Sequence, residues 1–187
     1  DWSFYNHQGV DYRQIYLAIK DHLHGDKLRG ASTISQQLTK NLYTHSERSL
    51  VRKVFELFTT MYLEAKLDKN KILETYLNVI EFGENLYGIT DASWYYFKKH
   101  PSDLGPKESA FLAMLLPNPK TYSQSFRDKA LSEYAVKIIN SILNKLKVTK
   151  VISEDDVNRL SSRKLSFEIK GVNNNVKQTV EEEFFEL

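Results

Sequence analysis

SERSLVRKVFELFTTMYLEAKL, residues 46–67, decides the fold class. Val51, Val54, Phe55, Phe58, Met61 and Tyr62 recur at three- and four-residue steps with no Pro or Gly among them, which predicts a long helix. The apolar content predicts that this helix is largely buried. Within it Arg48, Arg52 and Glu56 stand at i, i+4 and i+8 and so share one face. A buried charge is costly unless paired, so this stripe either borders a wet cleft or forms an internal ion pair. A plain Arg52–Glu56 helix salt bridge fits the spacing equally well.

Helical spacing continues on both sides of this stretch. Upstream, Tyr12, Ile15, Tyr16, Ile19 and Leu23 form one periodic stripe, followed by the turn-rich HGDKLRG (24–30). STISQQLTKNLY (32–43) opens the next helix, with Thr33 as N-cap and Gln36 three residues on, the pattern of a capping box. Ser32, Gln36 and Lys40 follow at four-residue steps along one face.

Downstream, Asp68 caps KNKILETYLNVI (69–80), and Gly83 and Gly88 turn the chain within EFGENLYG (81–88). PKESAFLAMLLP (106–117) reads as an apolar helix and residues 127–147 as a long amphipathic one. Ser153 with Asp156 marks a short helix start, while KLSFEI (164–169) alternates and predicts a terminal strand. The class is therefore mainly α: one domain over residues 1–170, with 171–187 as a polar tail or severed linker.

Composition narrows the chemistry. With 187 residues, 41% of them hydrophobic and 12% aromatic, the chain can bury one sizeable core. A net charge of +2 is too small for bulk nucleic-acid binding, so nucleic acid is not an expected partner. The absence of cysteine excludes a disulfide framework and a zinc-thiolate site. His22, His24, His45 and His100 lack metal-ligand spacing. Ser161 and Lys164 stand at Ser-x-x-K spacing, but only 23 residues follow, and we read the match as chance.

Two cationic stripes facing one cleft would suit a diphosphate, because Arg and Lys give phosphate oxygens charge-assisted hydrogen bonds. Glycosyl transfer needs a general base on the attacking hydroxyl. Where the leaving group is a diphosphate, cations can replace the general acid of a glycosidase.

DWSFYNHQG (1–9), GASTISQQLTKN (30–41), RKVFELF (52–58), KILETYLNVIEFG (71–83) and LAMLLPNP (112–119) resemble, in order, the successive motifs of the peptidoglycan glycosyltransferases. That family polymerises lipid II, as monofunctional enzymes or as the N-terminal domain of bifunctional penicillin-binding proteins. The resemblance covers about residues 1–125. It implies a lysozyme-like α domain with a smaller, membrane-facing jaw. It also implies inverting transfer of the growing lipid-diphosphate-linked chain onto the 4-hydroxyl of an acceptor lipid II.

By the same resemblance Glu56 is the second essential carboxylate, near the donor diphosphate. Lys40, Arg48 and Arg52 are the diphosphate-binding cations, and Ser32, Gln36 and Gln37 line the substrate cleft. The general-base Glu belongs at the position before Asp1. A divalent cation such as Mg2+ or Mn2+ at the diphosphate is the one cofactor the resemblance admits. The implied partners are lipid II, the growing glycan chain, the membrane surface and other cell-wall synthesis proteins; moenomycin is the implied inhibitor. The implied place is the extracytoplasmic face of the bacterial cytoplasmic membrane, held by an N-terminal helix.

One departure is Gln124 after Tyr122-Ser123, where the family usually has Pro. Two other readings stand beside the leading one: a lysozyme-like lytic enzyme, which has no need of the cation stripe, and a module that binds lipid II without catalysis. The stripe Tyr12, Ile15, Tyr16, Ile19, Leu23, with Arg13, Lys20, Lys27 and Arg29 nearby, suits a helix at a lipid interface; core packing fits the bare pattern as well.

Overall fold

A computed structural model of the chain describes residues 1–25, 30–43 and 50–168. The HGDKLRG loop from residue 26 to 29, with Lys27 and Arg29, lies outside the described residues, as do His45, Arg48 and the tail from 169 onward. The chain divides into two compact units, one of Asp1–Glu81 with Leu86–Thr90 and one of Phe82–Asn85 with Asp91–Leu187.

The first unit holds α1 (Tyr12–Leu23), α2 (Ile34–Tyr43), α3 (Leu50–Lys66) and α4 (Lys69–Val79). The caps expected at Thr33 with Gln36 and at Asp68 are present, and Asp11, which the sequence reading did not mark, caps α1. The Asp11 carboxylate accepts from Gln14 N at 2.9 Å to start α1, and Asp68 accepts from Lys71 N at 2.9 Å to start α4. Thr33 and Gln36 form the reciprocal pair at the start of α2: Thr33 N donates to Gln36 Oε1 at 3.1 Å, and Gln36 N to Thr33 Oγ1 at 3.2 Å. Leu38, Ile72 and Tyr76 are the buried apolar centre where α2 packs on α4.

The long third helix overturns one expectation. Val51, Val54, Phe55, Phe58, Met61 and Tyr62 are all more than half exposed, and the residues buried instead are Glu56, Thr60 and Leu63. Helix α3 therefore faces the unit with a polar stripe and presents its apolar stripe outward. The periodicity was real, but the inward partner of the helix is α2, which offers Ser35 and Thr39, both fully buried, rather than aliphatic side chains.

Two short strands, β1 (Glu81–Gly83) and β2 (Leu86–Tyr87), form a two-stranded sheet at which two of the three unit boundaries along the chain fall. Gly88 follows at φ +81°, where a Cβ would come 2.9 Å from Asn78 O, so only glycine fits.

Next come α5 (Ile89–Phe97), α6 (Pro106–Leu115), α7 (Pro119–Tyr122), α8 (Gln124–Arg127), α9 (Glu133–Val148) and α10 (Glu154–Ser162). The core of the second unit is aromatic: Phe111 meets Tyr96, Phe97 and Phe167 at centroid distances of 5.4, 5.8 and 5.1 Å. Ala135, Ile139 and Leu143 are the buried stripe of α9, which packs on α6.

Two further expectations change here. The amphipathic stretch 127–147 is interrupted: α8 ends at Arg127, and α9 starts only at Glu133, where Ser132 caps it through Ala135 N at 3.1 Å. KLSFEI is not a strand over its described part. Leu165 and Phe167 are buried, but Glu168 N donates back to Leu165 O at 3.0 Å, which closes a turn. Gln124, at the position of the family's Pro, opens α8 and ties it shut by accepting from Arg127 Nε at 2.8 Å and donating to Asp128 at 2.7 Å.

Candidate active site

The site residues within the described chain all belong to the first unit. Glu56 anchors them. Its side chain is 3% exposed, with Arg52 Nε 3.1 Å from Oε1 and Lys53 Nζ 3.3 Å from Oε2. The Arg52 approach is angled as an ion pair rather than as a hydrogen bond. A carboxylate so far from water is sustained by such partners. The expected Arg52–Glu56 bridge thus exists, and it lies on the buried side of the helix. Lys53 was not singled out in the sequence, although its three-residue offset from Glu56 is the signal that would have found it.

Helix α2 and the residues just before it carry the other candidates. Lys40 is exposed in the last turn of the helix. Gln37 is fixed twice: Tyr76 Oη donates to its Oε1 at 2.9 Å, and its Nε2 donates to Ser32 O at 3.3 Å. Burial pushes the Tyr76 hydroxyl up to about 12, so it remains a donor across the physiological range. Gln36 is turned the other way, buried in the capping box with Thr33. Ser32 lies before the first turn of α2 and is exposed. The structure joins Gln37 to Ser32 and, separately, Arg52 to Glu56, and it puts Gln36 to structural use. Arg48 lies outside the described residues.

The first motif is bound to the start of α2. Asp1 Oδ2 accepts from Ile34 N at 2.8 Å, Thr33 Oγ1 donates to Gly9 O at 2.7 Å, and His7 Nε2 lies 3.0 Å from Asp1 Oδ1. Burial first, and then the nearby Lys69 charge, hold His7 below the ordinary histidine value. A neutral His7 pairing with Asp1 has an orienting role, in keeping with its place among aromatic residues.

Among the described residues Asp1, His7 and Asp11 each bring one ligand-type atom within 4.8 Å of the others. These groups already serve the protein: Asp11 accepts from Gln14 N and from Ser3 Oγ, and Asp1 from Ile34 N. Glu56 in turn is engaged by two cations.

Comparison with known proteins now bears on the same residues. The family described as Transglycosylase matches residues 1–147. The chain belongs to this family. Relatives named biosynthetic peptidoglycan transglycosylase include one from Acinetobacter baylyi, 44% identical over 129 residues, or 68% of this chain and 58% of that protein. One from Acinetobacter baumannii is 39% identical over 149 residues, 79% of this chain and 66% of that protein. A third, from Shewanella amazonensis, is 48% identical over 122 residues, 65% of this chain and 50% of that protein. The chain thus spans between one half and two thirds of the length of these relatives. The transglycosylase match covers all of the first unit and part of the second, and includes every candidate site residue.

Proposed function

We propose that the chain polymerises lipid II, transferring a growing lipid-diphosphate-linked glycan onto the 4-hydroxyl of an acceptor lipid II with inversion at the anomeric carbon. The observation that carries this reading is the buried Glu56 braced by Arg52 and Lys53, within a chain of the transglycosylase family.

In this reaction a general base takes the proton of the acceptor hydroxyl, whose oxygen then bonds to the donor's anomeric carbon. The bond from that carbon to the phosphate oxygen breaks, and the diphosphate leaves with the electron pair. Charge therefore develops on phosphate oxygens, where Lys40, Arg52 and Arg48 would stabilise it. Glu56 keeps the α3 cations in place and limits their mutual repulsion. Gln37 and Ser32 would line the sugar-binding side. The base is proposed at the position before Asp1, whose carboxylate is tied to Ile34 N and His7. A divalent ion, when bound, would add positive charge for the departing diphosphate.

The partners proposed are lipid II, the glycan chain and a membrane surface, with other cell-wall synthesis proteins as further candidates. The apolar faces of α1 and α3 support the membrane contact: Tyr12, Tyr16, Ile19 and Leu23 are exposed, as are Val51, Phe55 and Phe58. Such contiguous apolar surface marks an interaction site. No helix among the described residues is long and apolar enough to cross a membrane. The proposed location is the extracytoplasmic face of the cytoplasmic membrane.

The test is glycan-chain formation from purified lipid II by the full-length protein. Polymer from the parent and at least a hundredfold less from Glu56→Gln supports the reading. Absence of polymer from a folded parent removes it, and release of soluble fragments from preformed peptidoglycan would favour a lytic enzyme.

A further inference from the structure

We infer that Glu64 is a positioning residue for this site: it sets the register between α2, which carries Gln37 and Lys40, and α3, which carries Arg52 and Glu56. The inference rests on the proposed function and names a residue outside the set that touches the substrate.

Three helices meet on one oxygen of Glu64. Ser35 Oγ, from fully buried Ser35 on α2, donates to Oε1, and Lys69 Nζ, from the first turn of α4, donates to the same oxygen at 2.7 Å. The Glu64 side chain is 7% exposed and that of Lys69 20%. The first motif joins the same point. Gly9 lies at φ +80°, and a Cβ there would stand 3.1 Å from Glu64 Cγ and 2.8 Å from Thr60 Cγ2. Lys69 Nζ also sits 4.5 Å from the centroid of the Phe4 ring.

Net stability is a weak reason for such an arrangement. A buried ion pair roughly offsets its own desolvation, and well-packed apolar side chains would hold three helices together at least as well. What the carboxylate adds is direction, because it accepts only from donors placed where Ser35 and Lys69 are. Glu64 shares its helix face with Thr60 and Glu56, at successive four-residue steps, and Ser35 is one turn from Thr39 on α2. The seam therefore has two polar rungs, Ser35–Glu64 and Thr39–Thr60. A slip of one helical turn between α2 and α3, about 5.4 Å, would part Ser35 from Glu64 and undo the present pairing of both rungs. The same slip would displace Lys40 by one turn relative to Glu56 and Arg52. A displacement of about 1 Å in a catalytic group can cost about a hundredfold in rate.

The test uses the full-length protein with lipid II as substrate and compares Glu64→Gln, Ser35→Ala and the double variant. Expected is a kcat at least tenfold lower in each single variant with KM within about threefold, and a double variant no worse than the weaker single by more than about twofold, because both act through one contact. Normal kcat per folded molecule, or losses that multiply in the double variant, would overturn the inference. Should Glu64→Gln fail to fold, Ser35→Ala alone decides, with unchanged kcat counting against.

Amide hydrogen exchange separates this from the functional reading. In Glu64→Gln the amides of Leu38–Lys40 should exchange at least tenfold faster while those of α9 do not change. Unaltered α2 exchange overturns the positioning role whether or not the parent polymerises lipid II.

Discussion

Thr39 and Thr60 face one another hydroxyl to hydroxyl at 3.2 Å, fully buried, where α2 packs on α3. Thr60 Oγ1 also donates to the Glu56 carbonyl one turn earlier, at 2.7 Å. Replacing Thr60 by Val keeps the shape and leaves the Thr39 hydroxyl short of a partner. The expected cost is about 1–3 kcal/mol, the penalty for a buried polar group left unsatisfied. Urea unfolding of parent and variant measures it, and an equal midpoint would show that the contact contributes nothing.

Lys40 is exposed in the last turn of α2 and lies outside the buried seam with α3, so its removal tests diphosphate binding. Lys40→Ala should lose about 2–4 kcal/mol of transition-state stabilisation, the scale of one preorganised donor, which is roughly a hundredfold or more in polymerisation. Arg52→Ala should lose as much and, in addition, leave Glu56 with Lys53 alone. Near-normal rates in both variants would withdraw the assignment of these cations.

On α1, Tyr16 and Ile19 are exposed, and on α3 so are Phe58 and Met61. Tyr16→Ser with Ile19→Ser should float less with liposomes than the parent, and Phe58→Ser with Met61→Ser should do the same. Circular dichroism should show both doubles folded, since neither pair belongs to the core. Equal flotation in both cases would mean that the lipid contact lies elsewhere.

Acid stability follows from Asp11. Hydrogen bonds from Ser3, and next from Gln14 N, hold its carboxyl below the ordinary value of 3.8. A carboxyl with a lowered folded-state pKa adds stability that is fully present above 3.8 and disappears as pH falls through the folded-state value. Thermal midpoints of the parent should thus drop more steeply below pH 4 than those of Asp11→Asn, which should already be lower at pH 7 through loss of the α1 cap. Parallel curves would exclude the carboxylate as the source.

Much of the helical framework was legible because helix caps and four-residue spacings are local. Thr33 with Gln36, Asp68 and Ser153 with Asp156 each do what their position in the sequence implies. The burial of Glu56 was legible only as a choice between cleft and ion pair, and the fold makes the pair. What the sequence concealed is non-local. Periodicity assigns two faces to α3 but not which one turns inward; Ser35 and Thr39, in a separate motif, settle that. Glu64 and Lys69 carried no signal, since a Glu and a Lys five residues apart across a helix break are ordinary in any surface helix pair. KLSFEI misled because alternation of Leu165 and Phe167 marks burial and says nothing of a neighbouring strand.

The outward apolar face of α3 has a practical side for anyone handling the protein. In plain aqueous buffer, concentration itself becomes a variable, because two copies can shield these stripes only by meeting through them. Mild detergent should therefore narrow its elution profile on a sizing column, and the Phe58→Ser, Met61→Ser variant should elute as a single narrow species without any.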